Sequence, residues 1–100
     1  MNVQITSRKF KAKESLKETI KDELNSLKKY NDDILDANVI LSYTHNKDSI
    51  KNVEITIGVP GRTFAANEDS DDFGKALSKT ITKLEKQLRT LKSKRIAKSR

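Results

Sequence analysis

The run Val53-Glu54-Ile55-Thr56-Ile57-Gly58-Val59 constrains this chain more than any other stretch, because its apolar residues recur at strict period two. Successive side chains of a strand point to opposite faces, so residues 51–59 can bury one sheet face and leave the other wet. Such a strand needs paired neighbours and a cover for its apolar side. Residues 2–7 alternate in the same way, with Val3 and Ile5 on one face and Gln4 and Thr6 on the other. Residues 37–43 place Ala37, Val39, Leu41 and Tyr43 together, and residues 62–68 form a short strand with Phe64 and Ala66 inward. Pro60-Gly61 between the last two strands is a turn. A two-residue hairpin normally prefers the opposite turn hand, so a bulge or a slightly longer loop is expected there.

Two segments switch to helical period. Between residues 14 and 30, Leu16, Ile20, Leu24 and Leu27 make one apolar stripe, which Asn31-Asp32-Asp33 ends. It follows the connector Arg8-Lys9-Phe10-Lys11, and its cap position holds Lys13, a poor cap. The second helix is expected from 71 to 95, capped by Ser70, with Asp71 and Asp72 in its first turn. Its buried stripe is Phe73, Leu77, Ile81, Leu84, Leu88 and Leu91. The order is β-α-β-β-β-α. A right-handed crossover makes the first two strands parallel, and the short later connections give antiparallel hairpins. The expected fold class is α+β, a two-layer sandwich of a four-stranded mixed sheet with both helices on one face. Residues 1–95 form one domain and 96–100 a basic flexible tail.

Several kinds of chemistry find no support. The chain has no cysteine, hence no disulfide and no thiolate metal site. Its one histidine, His45, lies in the polar turn region Thr44–Ser49 and reads as a surface residue. The pairs Asp32-Asp33, Glu68-Asp69 and Asp71-Asp72 read as turn and helix-start residues rather than metal ligands. No Gly-rich phosphate loop can be assembled, and no serine has a base to activate it. We therefore expect no enzyme activity, no metal and no cofactor. There is no apolar run long enough to span a membrane, and the N-terminus lacks the build of a signal peptide, so a cytoplasmic protein without a membrane partner is expected.

Charge is more informative. Residues 75–100 hold ten basic residues and one acidic, a net of +9, whereas residues 1–74 hold eleven against thirteen, a net of −2. At 100° per residue, with Lys75 at zero, Lys79, Lys83, Lys86 and Arg89 fall between about −40° and +80°, and the apolar stripe between about 160° and 240°. The basic ridge thus faces away from the sheet and spans about 21 Å. Lys92, Lys94 and Arg95 extend it. Like charges so placed repel, and phosphate is their natural partner, since each neutralised phosphate releases counterions. Duplex RNA suits such a ridge because it is read by shape and phosphate. Arg8, Lys9, Lys11, Lys28 and Lys29 form a weaker second set. Tyr30 and Tyr43 read as core edges, which disfavours single-strand binding by stacking. A general duplex-RNA module and a regulator that binds an acidic protein partner are the other readings.

The segments Val3-Gln4-Ile5-Thr6-Ser7, Leu16-Lys17-Glu18 and Leu27-Lys28-Lys29-Tyr30 resemble the bacterial ribosome hibernation-promoting factors, also called ribosome-associated inhibitor A or sigma-54 modulation proteins. The resemblance is densest at Asp72-Phe73-Gly74-Lys75-Ala76-Leu77 and Thr82-Lys83-Leu84-Glu85-Lys86-Gln87-Leu88. It implies a fold similar to a double-stranded-RNA-binding domain and binding to the small ribosomal subunit and its 16S rRNA near the decoding region. There the protein would overlap the mRNA and the A- and P-site tRNA positions, inhibit translation, and store idle ribosomes under stress or in stationary phase. The family's RNA contacts map onto Lys79, Lys83, Lys86, Arg89 and their neighbours. Two departures are Lys13, where members often carry Ser or Thr, and Ser78, where they often carry an acid. Ending at Arg100, the chain is expected to be the short form, a monomer off the ribosome and unable to pair ribosomes unaided.

Overall fold

The computed structural model describes residues 1–44 and 50–98, and for 91–98 the backbone alone. His45 and most of the Thr44–Ser49 turn therefore lie outside the described residues. The elements follow the expected order: β1 (Asn2–Ser7), α1 (Glu14–Ser26) with a 3₁₀ turn at Leu27–Lys29, β2 (Asp36–Tyr43), β3 (Lys51–Val59), β4 (Arg62–Ser70) and α2 (Phe73–Lys98). The sheet order is β1-β2-β3-β4. β1 pairs parallel to β2, with Val3 opposite Ala37 and Ile5 opposite Val39. The other two pairings are antiparallel.

Period two and period 3.6 meet in one core. Val39, Leu41, Val53, Ile55 and Ile57 are fully buried, as are Ile20, Leu24 and Leu27 of the first helical segment and Leu84 of α2. α2 lies over β3 and β4 and touches α1. Among the described residues one polar side chain enters this core: Thr80 donates to the Ala76 carbonyl at 2.8 Å and lies 3.3 Å from that of Val53, so its hydroxyl is not left unpaired against β3. The opposite sheet face is polar. There the Asn52 amide donates to Asp69 at 2.6 Å and also to the Asn67 side chain. β1 is an edge strand, and its inward Val3 and Ile5 are only half-buried.

Local chemistry corrects several expected boundaries. The β3–β4 hairpin has neither bulge nor longer loop: the register runs unbroken from Val59 opposite Arg62 to Lys51 opposite Ser70. Pro60 presets its own φ, and Gly61 takes φ 76°, the positive value a Pro-Gly type II turn needs at its third position. Ser70 is not the cap of α2, because it is still paired in β4. Asp72 is the cap. Its carboxylate accepts the Lys75 N–H at 3.1 Å, and its carbonyl accepts the Ala76 N–H at 3.0 Å. Gly74 leaves room for this, since a Cβ there would stand 2.9 Å from Asp72 Oδ2. Replacing Asp72 by Ala is expected to cost about 1 kcal/mol, read as a melting midpoint about 4–8 °C lower.

At its own start α1 has no side-chain cap from Lys13, in keeping with that residue's poor capping chemistry. It also tightens into the 3₁₀ turn rather than running evenly to 30. α2 reaches Lys98 instead of 95, there being no Gly or Pro in Arg95-Ile96-Ala97-Lys98 to stop it.

Candidate nucleic-acid interface

The exposed side of α2 is positioned by the buried side. Because Leu77, Ile81, Leu84 and Leu88 are locked against the sheet, Lys75, Lys79, Lys83, Lys86 and Arg89 are exposed, as the helical angles require. The ridge is not uniform, however. Lys75 Nζ lies 3.5 Å from the Asp71 carboxylate, one turn before it. Lys83 pairs with Glu68, which β4 carries to the same side. Among the described residues, Lys79 and Lys86 have no carboxylate within ion-pair distance. Carboxylates thus temper the like-charge repulsion of the ridge at Lys75 and Lys83, and not at Lys79 and Lys86.

Arg89 is held in another way. Its guanidinium lies 5.1 Å over the Tyr30 ring and donates to the Tyr30 hydroxyl at 3.2 Å. That hydrogen bond raises the Arg89 pKa above the ordinary guanidinium value. Asp71 moves the other way: the Lys75 ammonium, helped by the Ser70 hydroxyl, holds its carboxyl below the usual value. A depressed carboxyl contributes stability above its unfolded pKa and loses it as pH falls through the folded one. The Asp71–Lys75 contact should therefore persist at neutral pH and dissolve only below about pH 3.8. A titration of the Asp71 side-chain carbon by NMR checks this.

The weaker set divides in two. Lys28 and Lys29 are exposed on the 3₁₀ turn next to Tyr30, and so lie beside Arg89. Arg8, Lys9 and Lys11 are exposed on the first connector, and Lys11 reaches a groove with Phe73 and Gly74 at the opposite end of α2. Lys11 and the Lys28–Lys29 pair thus lie near opposite ends of the ridge. Lys92, Lys94 and Arg95 lie on the helix backbone, and their side chains are outside the described residues.

Sequence reasoning missed Tyr30 and Glu68 as partners of the ridge. Each is brought in by tertiary folding, Tyr30 from 59 positions away, and no local pattern marks them. Among the described residues, no group of three or more His, Cys, Asp or Glu could hold a metal ion, and no helix is long and apolar enough to cross a membrane.

Known proteins share this architecture. The chain is 32% identical over 93 residues to a protein named ribosome hibernation promotion factor from Deinococcus radiodurans, covering 91% of this chain and 49% of that protein. It is 31% identical over 94 residues to ribosome-associated factor Y of Haemophilus influenzae, covering 94% of this chain and 85% of the relative. It thus spans about half the length of the Deinococcus protein and most of the Haemophilus one. A solved ribosomal subunit interface protein from Coxiella burnetii superposes with a TM-score of 0.83 at 27% identity, over 93% of this chain and 99% of the other. With residues 3–96 matching its profile, the chain belongs to the Sigma 54 modulation protein / S30EA ribosomal protein family.

Proposed function

We propose that this protein binds the small ribosomal subunit through the outer face of α2, contacts 16S rRNA near the decoding region, and silences translation by occupying the mRNA and A- and P-site tRNA positions. The observation that carries the reading is the run Lys75, Lys79, Lys83, Lys86 and Arg89, all exposed from a helix whose other side is core. Such a ridge suits nucleic-acid backbone, where each neutralised phosphate releases counterions, better than it suits a small ligand. The relatives are named for the ribosome, which supports this reading. It acts in the cytoplasm, as a monomer when off the ribosome, during stress or stationary phase, when idle ribosomes are stored. Nothing in its chemistry calls for catalysis: it works by occupancy.

Sedimentation through sucrose with separated ribosomal subunits tests this. The protein is expected to travel with the small subunit at low salt and to be displaced by mRNA with tRNA. If it stays at the top of the gradient at low salt, the proposal fails and an acidic protein partner becomes the reading to test. Equal affinity for any RNA duplex would reduce it to a general duplex-binding module.

Glu68 competes with phosphate for Lys83. Glu68→Gln is therefore expected to tighten RNA binding by up to about fivefold, the scale of one exposed ion pair. It should also steepen the salt dependence by about one unit of slope. Binding measured at several salt concentrations gives both values.

A further inference from the structure

Three rings, from the first connector, β2 and α2, meet at the N-terminal end of α2. The Phe10 ring stacks on Phe73 at 5.3 Å between centroids, and Tyr43 meets both edge-on, at 5.1 and 5.7 Å. Phe73 is buried, but Tyr43 is 40% exposed. The rings floor a groove of about 410 Å³ rimmed by Lys11, Lys13 and Lys51, with Asp72, whose carboxylate already accepts the Lys75 N–H, also in its lining. Phe10 is held there with some force. Lys9 adopts φ 64°, a left-handed conformation that costs a lysine energy, and the Ser7 hydroxyl clasps the turn by donating to the Phe10 carbonyl at 2.9 Å. The Lys51 ammonium stands 5.6 Å from the Tyr43 ring centre and donates to the Asp71 carbonyl at 3.0 Å. Asp71 also pairs with Lys75, the first residue of the basic ridge, so groove and ridge are continuous.

We propose that this groove binds one unpaired nucleotide, its base against Tyr43 and its phosphate among Lys11, Lys13 and Lys51. An aromatic floor with a cationic rim is the combination that single-stranded nucleic acid selects, because every base has a stacking face and every phosphate a charge. The volume lies in the range of small-ligand clefts. The proposal rests on the RNA-binding reading and deepens it: the ridge follows duplex backbone, and the groove takes a base where the duplex ends. It departs from the expectation that stacking is disfavoured, because Tyr43 stands exposed beside Phe10 and Phe73 rather than as a lone core edge.

The test compares a short blunt RNA duplex, the same duplex with an unpaired adenylate extension, and free AMP. Wild type is expected to bind the extended duplex about five- to tenfold more tightly than the blunt one, the lower range for one base–aromatic stack. Tyr43→Ala should lose that gain and keep blunt-duplex affinity, and Tyr43→Phe should restore the gain. AMP should shift the Phe10, Tyr43 and Phe73 ring resonances by NMR. If neither duplex binds while AMP still shifts those rings, and Tyr43→Ala abolishes the shift, the groove stands as a free-nucleotide site and the RNA reading falls. If the extension adds nothing and AMP shifts none of the three rings, the proposal is overturned while duplex binding can remain.

Discussion

Replacing Lys79, Lys86 and Arg89 together by Ala is expected to weaken ribosome binding by about two orders of magnitude or more. These are the ridge cations that carry no carboxylate partner among the described residues, and Arg89 is set in place by Tyr30. Removing one charge-assisted hydrogen bond to phosphate costs on the order of 1.5–3 kcal/mol, with incomplete additivity along one face. The salt dependence gives the sharper readout: about one unit of slope should vanish for each phosphate left without its cation, so roughly three for the triple variant. The fold should be retained, because exposed substitutions each stay within about ±0.5 kcal/mol and only the Arg89–Tyr30 contact is lost besides. A triple variant that keeps its melting midpoint and its salt slope would place the interface elsewhere on the molecule. Lys75 and Lys83, already engaged with Asp71 and Glu68, are expected to contribute less singly than Lys79 or Lys86.

Leu84→Ala should do the reverse, disabling the protein through its stability. Leu84 is fully buried on the inner side of α2, between the exposed Lys83 and the half-buried Glu85. A Leu-to-Ala deletion in such a site removes apolar packing and leaves a cavity, costing about 3 kcal/mol within a usual range of about 2–5. A domain of this size holds about 5–15 kcal/mol in all. The thermal midpoint, followed by circular dichroism, should therefore fall by about 10–25 °C. Binding measured well below that midpoint should be nearly normal, since the ridge residues themselves are unchanged. Loss of binding with full retention of helicity at low temperature would mean that Leu84 sets the position of the ridge as well as its stability.

What could be read from the residues follows the range of the forces involved. Val53, Ile55, Ile57 and Val59 announce a half-buried strand because alternation is a property of neighbours. Leu77, Ile81, Leu84 and Leu88 likewise fix which side of α2 is buried, and with it the direction of Lys79 and Lys86. The parallel β1–β2 pair follows from the handedness of a crossover. Where competition between elements decides, local reading falls short. Ser70 is as good a cap as Asp72 in isolation, but pairing with Lys51 keeps it in β4. Pro60-Gly61 taken alone calls for extra chain, yet the positive φ of Gly61 closes the hairpin in two residues. Tyr43 shares a face with Leu41, as alternation demands, but only Phe10 and the first residue of α2, Phe73, meet its ring, and it stays 40% exposed. The Arg89–Tyr30 contact and the Phe10–Tyr43–Phe73 cluster join residues far apart in the chain, and only the assembled layers bring them together.

The position of β1 has a kinetic consequence. This strand is hydrogen-bonded along one side only, and its inner residues are half open to solvent. The contacts of α2, by contrast, are chiefly with β3 and β4. Opening in a folded protein proceeds in cooperative units from the least protected upward. The amides of β1 should accordingly exchange with deuterium before those of β3, in excursions that leave α2 seated. The chain can thus unzip at its first strand and still present the cations of its last helix.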